Sequence, residues 1–210
     1  EEADASICEE LSSRNSKYQF EQAEKISWTN VKTEIPIMWW RSVNAANFAW
    51  GQECFMDELA HLAGKNPMQA RLELLKDERC RKVLETISER SNYYEKLPEG
   101  SGKGIALFSS FGSICACCIT VSQTTRGIKI EKVVSVMDCG QYICPDTVKA
   151  QTEGNIVMGI SAAIKGGIVW KNGVCQHKNY NDYHIMRINE APPIEVYIME
   201  NGEAPGGVGE

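Results

Sequence analysis

The chain has 210 residues, 43% of them hydrophobic and 24% charged, which suits one sizeable soluble domain or two small ones. Its net charge of -6 argues against a nucleic-acid partner, because binding to phosphates needs a basic face. The longest apolar stretch, NIVMGISAAI, is about half the length that spans a bilayer, and no signal peptide or transmembrane segment is visible.

Nine cysteines are an odd number, so they cannot all pair within one chain. Cys115, Cys117 and Cys118 lie in an apolar, strand-like run whose spacing does not resemble a zinc site. The pattern favours buried, reduced thiols and a reducing compartment such as the cytoplasm. Iron–sulfur ligation is the more specific functional alternative, but no ligand-like spacing supports it. His177 and His184 match no metal template, so we predict no metal ligands in this chain.

Helical periodicity dominates the first half of the chain. We interpret residues 1–34 as a partly irregular lead-in to a domain over 35–210, in which residues 44–96 are helical. Asn66, which precedes a proline, is expected to cap the start of a helix. The helix before it is expected to bury one face, formed by Phe48, Phe55, Met56, Leu59, Leu62 and Ala63.

The second half, residues 104–210, changes to the alternation typical of strands. Four segments are predicted strands: residues 104–113, 115–123, 128–138 and 193–200. A helix is expected over about 146–165, and Asn172-Gly173 is a strong hairpin signal. Alternation predicts one shared face in the third strand, formed by Ile128, Ile130, Val134 and Val136. Helices followed by strands, with one embedded helix, predict an α+β fold with an antiparallel or mixed sheet and packed helices.

Two features of the sequence allow either a structural or a functional interpretation. Gly154 and Gly159 lie inside the predicted helix, where each glycine costs about 1 kcal/mol relative to alanine. Close helix–sheet packing explains them, and so does close approach by another backbone or a bulky cofactor; composition favours packing. Arg41 follows two tryptophans, so it can bind an anion or a carbonyl oxygen, or stack on tryptophan.

The chain closes on PGGVGE, in which three glycines surround a valine before Glu210. Glycine runs of this kind usually lead into a tight turn, a ligand or a buried catalytic group.

Four stretches of the chain, taken in order, resemble one enzyme family. They are WWRSV…F…ECFMDELAHLAGKNPMQARLELL, GKGIAL…SFGS, VVSVMDCGQYICPDTVKAQTEGNIVMGISAAI and NYNDYHIMRINEAPPIEVYIMENGEAPGGVGE. Together they resemble the C-terminal half of the molybdopterin-binding large subunit of the molybdenum hydroxylases, the superfamily of xanthine dehydrogenase and aldehyde oxidoreductase. The likeness is closer to isoquinoline oxidoreductase-type large subunits. It covers about residues 35–210, and the motifs are specific only in combination.

The resemblance implies roles for seven residues. In that family a glutamate in a GxGE segment is the general base at a molybdenum centre, and Glu210 matches it. Arg41 matches the arginine of an R-[GS]-x-G segment beside the active site, with a role in substrate orientation or charge stabilisation. The positions that match cofactor-binding segments are Gln151, Glu153, Gly154, Gly207 and Gly209.

The resemblance also implies a reaction, a cofactor and partners. The intact enzyme would be an oxidoreductase that hydroxylates an N-heterocycle or an aldehyde with oxygen from water. Its cofactor would be molybdopterin, in the cytosine dinucleotide form in bacterial relatives. Its partners would be an iron–sulfur subunit and the rest of the large subunit, and a homo-oligomer is also compatible with the resemblance. Some relatives are exported, so the periplasm is the alternative to the cytoplasm. We expect this chain to be a fragment that is inactive and binds no cofactor by itself.

Two positions depart from the family's pattern. Asn44 stands where glycine is common, and Cys144 replaces the asparagine of an Asn-Pro pair. Both departures favour an alternative, a degenerate domain kept for binding or subunit assembly. A small-molecule-binding α+β domain without a redox role is the third hypothesis.

Overall fold

Helices come first along the chain, and a sheet with one further helix follows. The computed structural model describes residues 17–20, 32, 34–35, 38 and 40–209. The three helices of the first half are α1 (Ala45–Leu62), α2 (Pro67–Leu74) and α3 (Glu78–Arg90). The later elements are β1 (Ser101–Ser110), β2 (Ser113–Thr124), β3 (Gly127–Asp138), α4 (Pro145–Ile164), β4 (Trp170–Lys171), β5 (Val174–Cys175) and β6 (Ile194–Ile198). None of the described helices has the length and apolar character needed to cross a membrane.

The main sheet is mixed, with the strand order β1-β2-β3-β6. The first three strands are antiparallel neighbours, whereas β6 pairs with β3 in parallel. A parallel pair needs a crossover connection, and α4 lies in that connection. β4 and β5 form a separate hairpin around Asn172 and Gly173, which both have positive φ. The predicted α+β fold with a mixed sheet and packed helices is confirmed.

Helices cover both faces of the main sheet. On one face, Met56 of α1 and Leu84 of α3 pack with Ile105 of β1 in the largest buried cluster. On the other face, Ile160 of α4 packs against Val133 of β3. Because the strands are antiparallel, the β1–β2 turn and the end of β3 meet at one end of the sheet. This end of the sheet carries the candidate site.

A bulge in β3 reverses the faces of its side chains. The register shifts between Thr120 and Val121 of β2, which leaves Glu131 of β3 as an extra residue. An extra residue reverses the alternation beyond it. Ile130 therefore packs in the cluster beneath α4, whereas Val136 packs in the cluster beneath α1 and α3. The prediction of a single shared face is wrong for the set Ile128, Ile130, Val134 and Val136.

The buried face of α1 differs from the predicted one. Met56 is buried as expected, but Phe55 is 56% exposed and Leu62 is 82% exposed. Glu53 and Ala60 take the buried positions instead, and with Met56 they lie on one side of the helix. The physical reason is that Glu53 forms a buried ion pair with a side chain of α2, which turns this side of α1 inward.

The packed domain extends into the predicted lead-in of residues 1–34. Tyr18 is 3% exposed, forms an isolated antiparallel bridge with Leu75, and donates a hydrogen bond from its hydroxyl to Glu53 Oε2 at 3.2 Å. Most other residues of the lead-in lie outside the described residues. The domain core thus includes at least Tyr18, ahead of the boundary predicted at residue 35.

Candidate functional site

The last described residues of the chain cross the end of the sheet. We call residues 205–209 the glycine segment. The Gly206 N–H donates to the carbonyl oxygen of Cys139, just after β3, at 2.8 Å. The Gly207 N–H donates to the carbonyl oxygen of Phe111, in the β1–β2 turn, at 2.8 Å. The segment is therefore fixed to two neighbouring parts of the sheet.

Close approach requires glycine at position 206. A β-carbon on Gly206 would lie 2.4 Å from Ser113 Oγ and 2.7 Å from the carbonyl carbon of Gly112. Contacts below 3.0 Å essentially never occur for real β-carbons, and the Gly112 backbone is not free to rotate away. A β-carbon on Gly207 would lie 3.1 Å from the Phe111 β-carbon, which is also tight. The glycines here let the segment lie directly on the turn.

Replacing Gly206 with alanine is expected to lower the free energy of unfolding by about 1–3 kcal/mol, the usual cost of overpacking. The matched control is Gly202→Ala, because a β-carbon on Gly202 meets nothing within 4 Å. Urea unfolding of both variants measures the difference. Equal stability of Gly206→Ala and the wild type would contradict the close contact.

The β1–β2 turn is strained and held from two sides. Phe111 has a φ of 50° and Gly112 a φ of 77°, as a two-residue hairpin turn requires. For a residue with a β-carbon this left-handed conformation costs about 1–2 kcal/mol. Arg79 Nη1 donates to the Gly112 carbonyl at 3.1 Å, and the Gly207 N–H binds the other turn residue. Such strain persists only where surrounding contacts fix it, and it clusters at functional sites.

Arg79 also forms a bidentate ion pair with Asp138 at the end of β3. Its Nε lies 2.8 Å from Oδ2 and its Nη2 lies 2.7 Å from Oδ1, and Asp138 is 2% exposed. Burial by itself raises the pKa of Asp138, but hydrogen bonds from Arg79 and from the Gly140 N–H outweigh it and hold the pKa below its ordinary value. The charged pair thus links α3, β3 and the strained turn at neutral pH.

Arg41 and the glycine segment both form hydrogen bonds with one face of α4. Gln151 Nε2 donates to the Gly209 carbonyl oxygen at 2.6 Å. Arg41 Nη1 donates to Asn155 Oδ1 at 3.0 Å. Because Gln151 and Asn155 are four residues apart, their β-carbons lie about 5–6 Å from each other on the same helix face. Three predicted site residues, Arg41, Gln151 and Gly209, therefore come together.

The other predicted site residues are placed differently. Gly207 lies in the same glycine segment, two residues before Gly209. Glu153 and Gly154 are exposed on α4, and Glu153 faces away from Gln151 because residues two apart in a helix do not share a face. Glu210 lies outside the described residues. The structure thus gathers part of the predicted set and leaves Glu153 outside it.

Both departures from the family's pattern are compatible with this fold. Asn44 has a φ of -78°, which any residue adopts, so glycine is not required there; Ser42 and Val43 before it have positive φ instead. Cys144 precedes α4, and its Sγ accepts a hydrogen bond from Thr147 Oγ1 at 3.0 Å. The hydrogen bond from the Thr147 hydroxyl lowers the pKa of this thiol. The sulfur does not cap the backbone N–H groups at the start of α4.

The described cysteines are free thiols of mixed exposure. Three are buried (Cys80, Cys118, Cys139), three are half-buried (Cys115, Cys117, Cys175) and two are exposed (Cys54, Cys144). The expectation of buried thiols therefore holds for some of them and is wrong for the exposed pair. Within the described ranges, no three side chains of His, Cys, Asp or Glu group closely enough to hold a metal ion.

Sequence reasoning missed two parts of this site. Phe111 and Gly112 form a turn, whereas the pattern predicts one strand over residues 104–113. Gly112, within the sequence Ser-Ser-Phe-Gly-Ser, was the available signal. Arg79 gives no local signal, because Asp138, its partner, is 59 residues away along the chain.

The chain is similar to parts of longer proteins. It is 30% identical over 194 residues to membrane-bound aldehyde dehydrogenase (pyrroloquinoline-quinone) from Gluconacetobacter polyoxogenes, covering 82% of this chain and 25% of that protein. It is 27% identical over 194 residues to isoquinoline 1-oxidoreductase subunit beta from Brevundimonas diminuta, covering 89% of this chain and 25% of that protein. The chain spans about a quarter of the length of these curated relatives.

The fold also matches a solved structure. The aldehyde oxidoreductase from Desulfovibrio desulfuricans superimposes with a TM-score of 0.66 at 12% sequence identity, over 81% of this chain and 37% of that chain. At this identity the likeness concerns the fold alone. In sequence, the family model of the molybdopterin cofactor-binding domain matches residues 17–192, which include the buried Tyr18 and all of α1 to α4. The chain therefore belongs to the molybdopterin cofactor-binding domain family.

Proposed function

We propose that this chain is part of the large subunit of a molybdenum hydroxylase that hydroxylates an N-heterocycle or an aldehyde with oxygen from water. The observation that carries the proposal is that Arg41 and the glycine segment meet on one face of α4. Family membership supports molybdopterin as the cofactor. The names of the two relatives, an aldehyde dehydrogenase and an isoquinoline oxidoreductase subunit, support the two substrate classes.

We call the exposed side of α4 that carries Gly154 and Gly159 its open side, and the residues there fit a molybdopterin cofactor. Apart from the chain neighbours and the nearby backbone of α4 itself, no described atom lies within 4 Å of the position that a β-carbon would take on Gly154 or Gly159. Close packing on the sheet therefore does not explain these helix glycines, which leave room for a bulky group. The Arg41 guanidinium and the Gln151 amide are donors that suit an oxygen-rich, anionic group.

Each of these residues has a proposed task. When bound, molybdopterin supplies a molybdenum centre for oxygen transfer from water and two-electron uptake. Glu210 takes up a proton at its carboxylate as the general base. Gln151 holds the carbonyl of Gly209, the residue directly before Glu210 in the sequence. Arg41, fixed by Asn155, orients the substrate or stabilises developing negative charge. Gly207 and Gly209 leave space beside the cofactor, with Gly154 and Glu153 as further cofactor-binding candidates.

The proposed activity needs parts beyond these 210 residues. The chain spans about a quarter of the length of its relatives, so we propose that other large-subunit segments complete the cofactor site and that this chain alone is inactive. Electrons would leave through an iron–sulfur subunit. The name "subunit beta" of one relative supports an enzyme of more than one subunit.

Metal analysis of the intact protein tests the proposal. Expressed in a host that makes molybdopterin, the protein is expected to carry molybdenum and pterin in equal amounts. The same protein from a host unable to make molybdopterin is the control and should carry neither. Folded protein without molybdenum or pterin from the competent host would contradict the proposal and favour a domain kept for binding or assembly.

A further inference from the structure

Three sulfur-containing side chains lie side by side on the face of the main sheet that packs against α4. Cys115 and Cys117 are two residues apart in β2, so their side chains point to the same side of the strand. The strand register places Met137 of β3 directly opposite Cys115. Residues opposite each other on two strands share a face, with β-carbons about 4.5–5.5 Å apart. We call Cys115, Cys117 and Met137 the sulfur cluster.

The two thiols form a close pair within the sulfur cluster. Their Sγ atoms are 4.0 Å apart, and the Ser135 hydroxyl oxygen lies 3.5 Å from each of them. Ser135 is fully buried and lies opposite Cys117 in β3. Met137 packs with Cys115 in a cluster that also contains Val148 of α4. The sulfurs therefore lie in largely apolar surroundings, with one hydroxyl beside the two thiols.

The spacing of the two thiols does not suit a disulfide. A strand rises about 3.4 Å per residue, so β-carbons two residues apart are about 6.8 Å from each other. A disulfide needs β-carbons about 3.5–4.5 Å apart and a sulfur–sulfur bond of about 2.05 Å. Closing the 4.0 Å gap between Cys115 and Cys117 would therefore distort β2, which is paired with a strand on each side.

The same spacing suits one metal ion between the two sulfurs. At a metal–sulfur distance of about 2.3 Å, two sulfurs bound to one ion are about 4.0 Å apart when the bond angle is about 120°. That angle is typical of trigonal coordination, and Met137, opposite Cys115, is positioned to supply the third ligand. Thiolate and thioether ligands select soft ions such as Cu(I). Structural zinc sites instead take four ligands from Cys, His, Asp or Glu.

An opening in the surface leads to the sulfur cluster. Cys115 and Met137 line a cavity of about 200 Å³ between the start of α1 and the β1–β2 hairpin. Cys115 and Cys117 are both half-buried, so neither thiol is fully closed off from solvent. An ion that enters this cavity therefore meets Cys115 and Met137 first and Cys117 next to them.

We propose that the sulfur cluster binds one Cu(I) ion, with Cys115 and Cys117 as thiolate ligands and Met137 as a thioether ligand. Each thiol releases its proton as its bond to the ion forms, so the ion and the two thiolates make a singly negative complex. No electron is transferred in this step. The Ser135 hydroxyl is within reach of both sulfurs and donates a hydrogen bond to a thiolate. This site is independent of the proposed molybdenum reaction.

A competition titration of the intact protein against a Cu(I) chelator tests this site. The protein is prepared without molybdenum, reduced, and titrated in the absence of oxygen. The double variant Cys115→Ser with Cys117→Ser is the blank, because it measures the Cu(I) that other thiols bind. Relative to this blank, the wild type is expected to bind one further Cu(I) per chain.

Single variants test the ligands one at a time. Cys115→Ser and Cys117→Ser are each expected to weaken Cu(I) binding at least about 100-fold, because groups that merely support metal ligands already contribute about 10- to 100-fold. Met137→Leu keeps the apolar bulk and should weaken binding about tenfold. Cys175→Ser, which removes a half-buried thiol from β5, is the control and should leave the affinity unchanged.

X-ray absorption at the copper edge adds a readout on the wild type that does not depend on how well a variant folds. The ion of the sulfur cluster is expected to have three sulfur neighbours, and Met137→Leu should reduce them to two. The proposal is overturned if the wild type binds no more Cu(I) than the blank, if either single cysteine variant keeps the wild-type affinity, or if the ion has oxygen or nitrogen neighbours. Because the protein is free of molybdenum, none of these results bears on the proposed reaction.

Discussion

Replacing Glu210 with glutamine is expected to lower the kcat of the intact enzyme by about 100- to 10,000-fold, the usual contribution of a general acid–base residue. The amide has nearly the same shape as the carboxylate but cannot take up a proton at neutral pH. The molybdenum content is expected to stay unchanged, because Arg41, Gln151 and the open side of α4 are intact. Measurement of kcat at saturating substrate, together with molybdenum per protein, separates these two effects.

A control variant in the same part of the chain makes this test specific. Glu203 is exposed and lies seven residues before Glu210, so Glu203→Gln removes an equal charge and should leave kcat unchanged. The pH profile adds a second readout. Protonation of the base at low pH should lower the kcat of the wild type, and the residual activity of Glu210→Gln should lack this acid limb. Full turnover in Glu210→Gln would remove this residue from the mechanism.

Local chemistry in the sequence was enough to predict several elements. Pro145 and Asp146 set the start of α4, which spans Pro145–Ile164 where the pattern predicts about 146–165. Asn172 and Gly173 tolerate positive φ, so the β4–β5 hairpin falls where that pair occurs. These features depend on a few neighbouring residues, which one sequence displays directly.

Features that depend on pairing between strands were not predictable in this way. The extra Glu131 in β3 exists only relative to β2, so alternation within β3 alone assigned Ile130 to the wrong face. Phe111 has a side chain typical of strands, and the strand pairing and its positive φ mark it as a turn residue. Sequence patterns report on neighbouring residues in one strand, whereas the bulge and the turn are determined by how two strands pair.

For the candidate site, too, the residues could be named from the sequence, but their arrangement in space could not. Family resemblance pointed to Arg41, Gln151 and Gly209, but their meeting on α4 joins residues up to 114 positions apart, such as Arg41 and Asn155.

A second expected result concerns the charged network beneath α1. Arg71 is fully buried, and its Nε donates to Glu53 Oε2 at 2.9 Å, while its Nη2 donates to the Glu53 carbonyl at 2.9 Å. Glu53 Oε2 also accepts from the Tyr18 hydroxyl and from the Leu107 N–H at 2.9 Å. Burial alone would lower the pKa of Arg71, but Glu53 and Tyr18 more than offset it and raise that pKa. The network ties α1, α2, β1 and residue 18 into one unit.

Replacing Arg71 with methionine is therefore expected to lower the free energy of unfolding by about 3–5 kcal/mol, because it leaves the Glu53 carboxylate buried without its cation. Arg126→Met, in the exposed β2–β3 turn, is the control and should stay within about 0.5 kcal/mol of the wild type. The double variant Arg71→Met with Glu53→Leu should recover part of the loss but not all of it, since Tyr18 and Leu107 then lack their acceptor. Urea unfolding of all three variants measures these differences, and a loss below about 1 kcal/mol for Arg71→Met would show that the network does not hold these elements together.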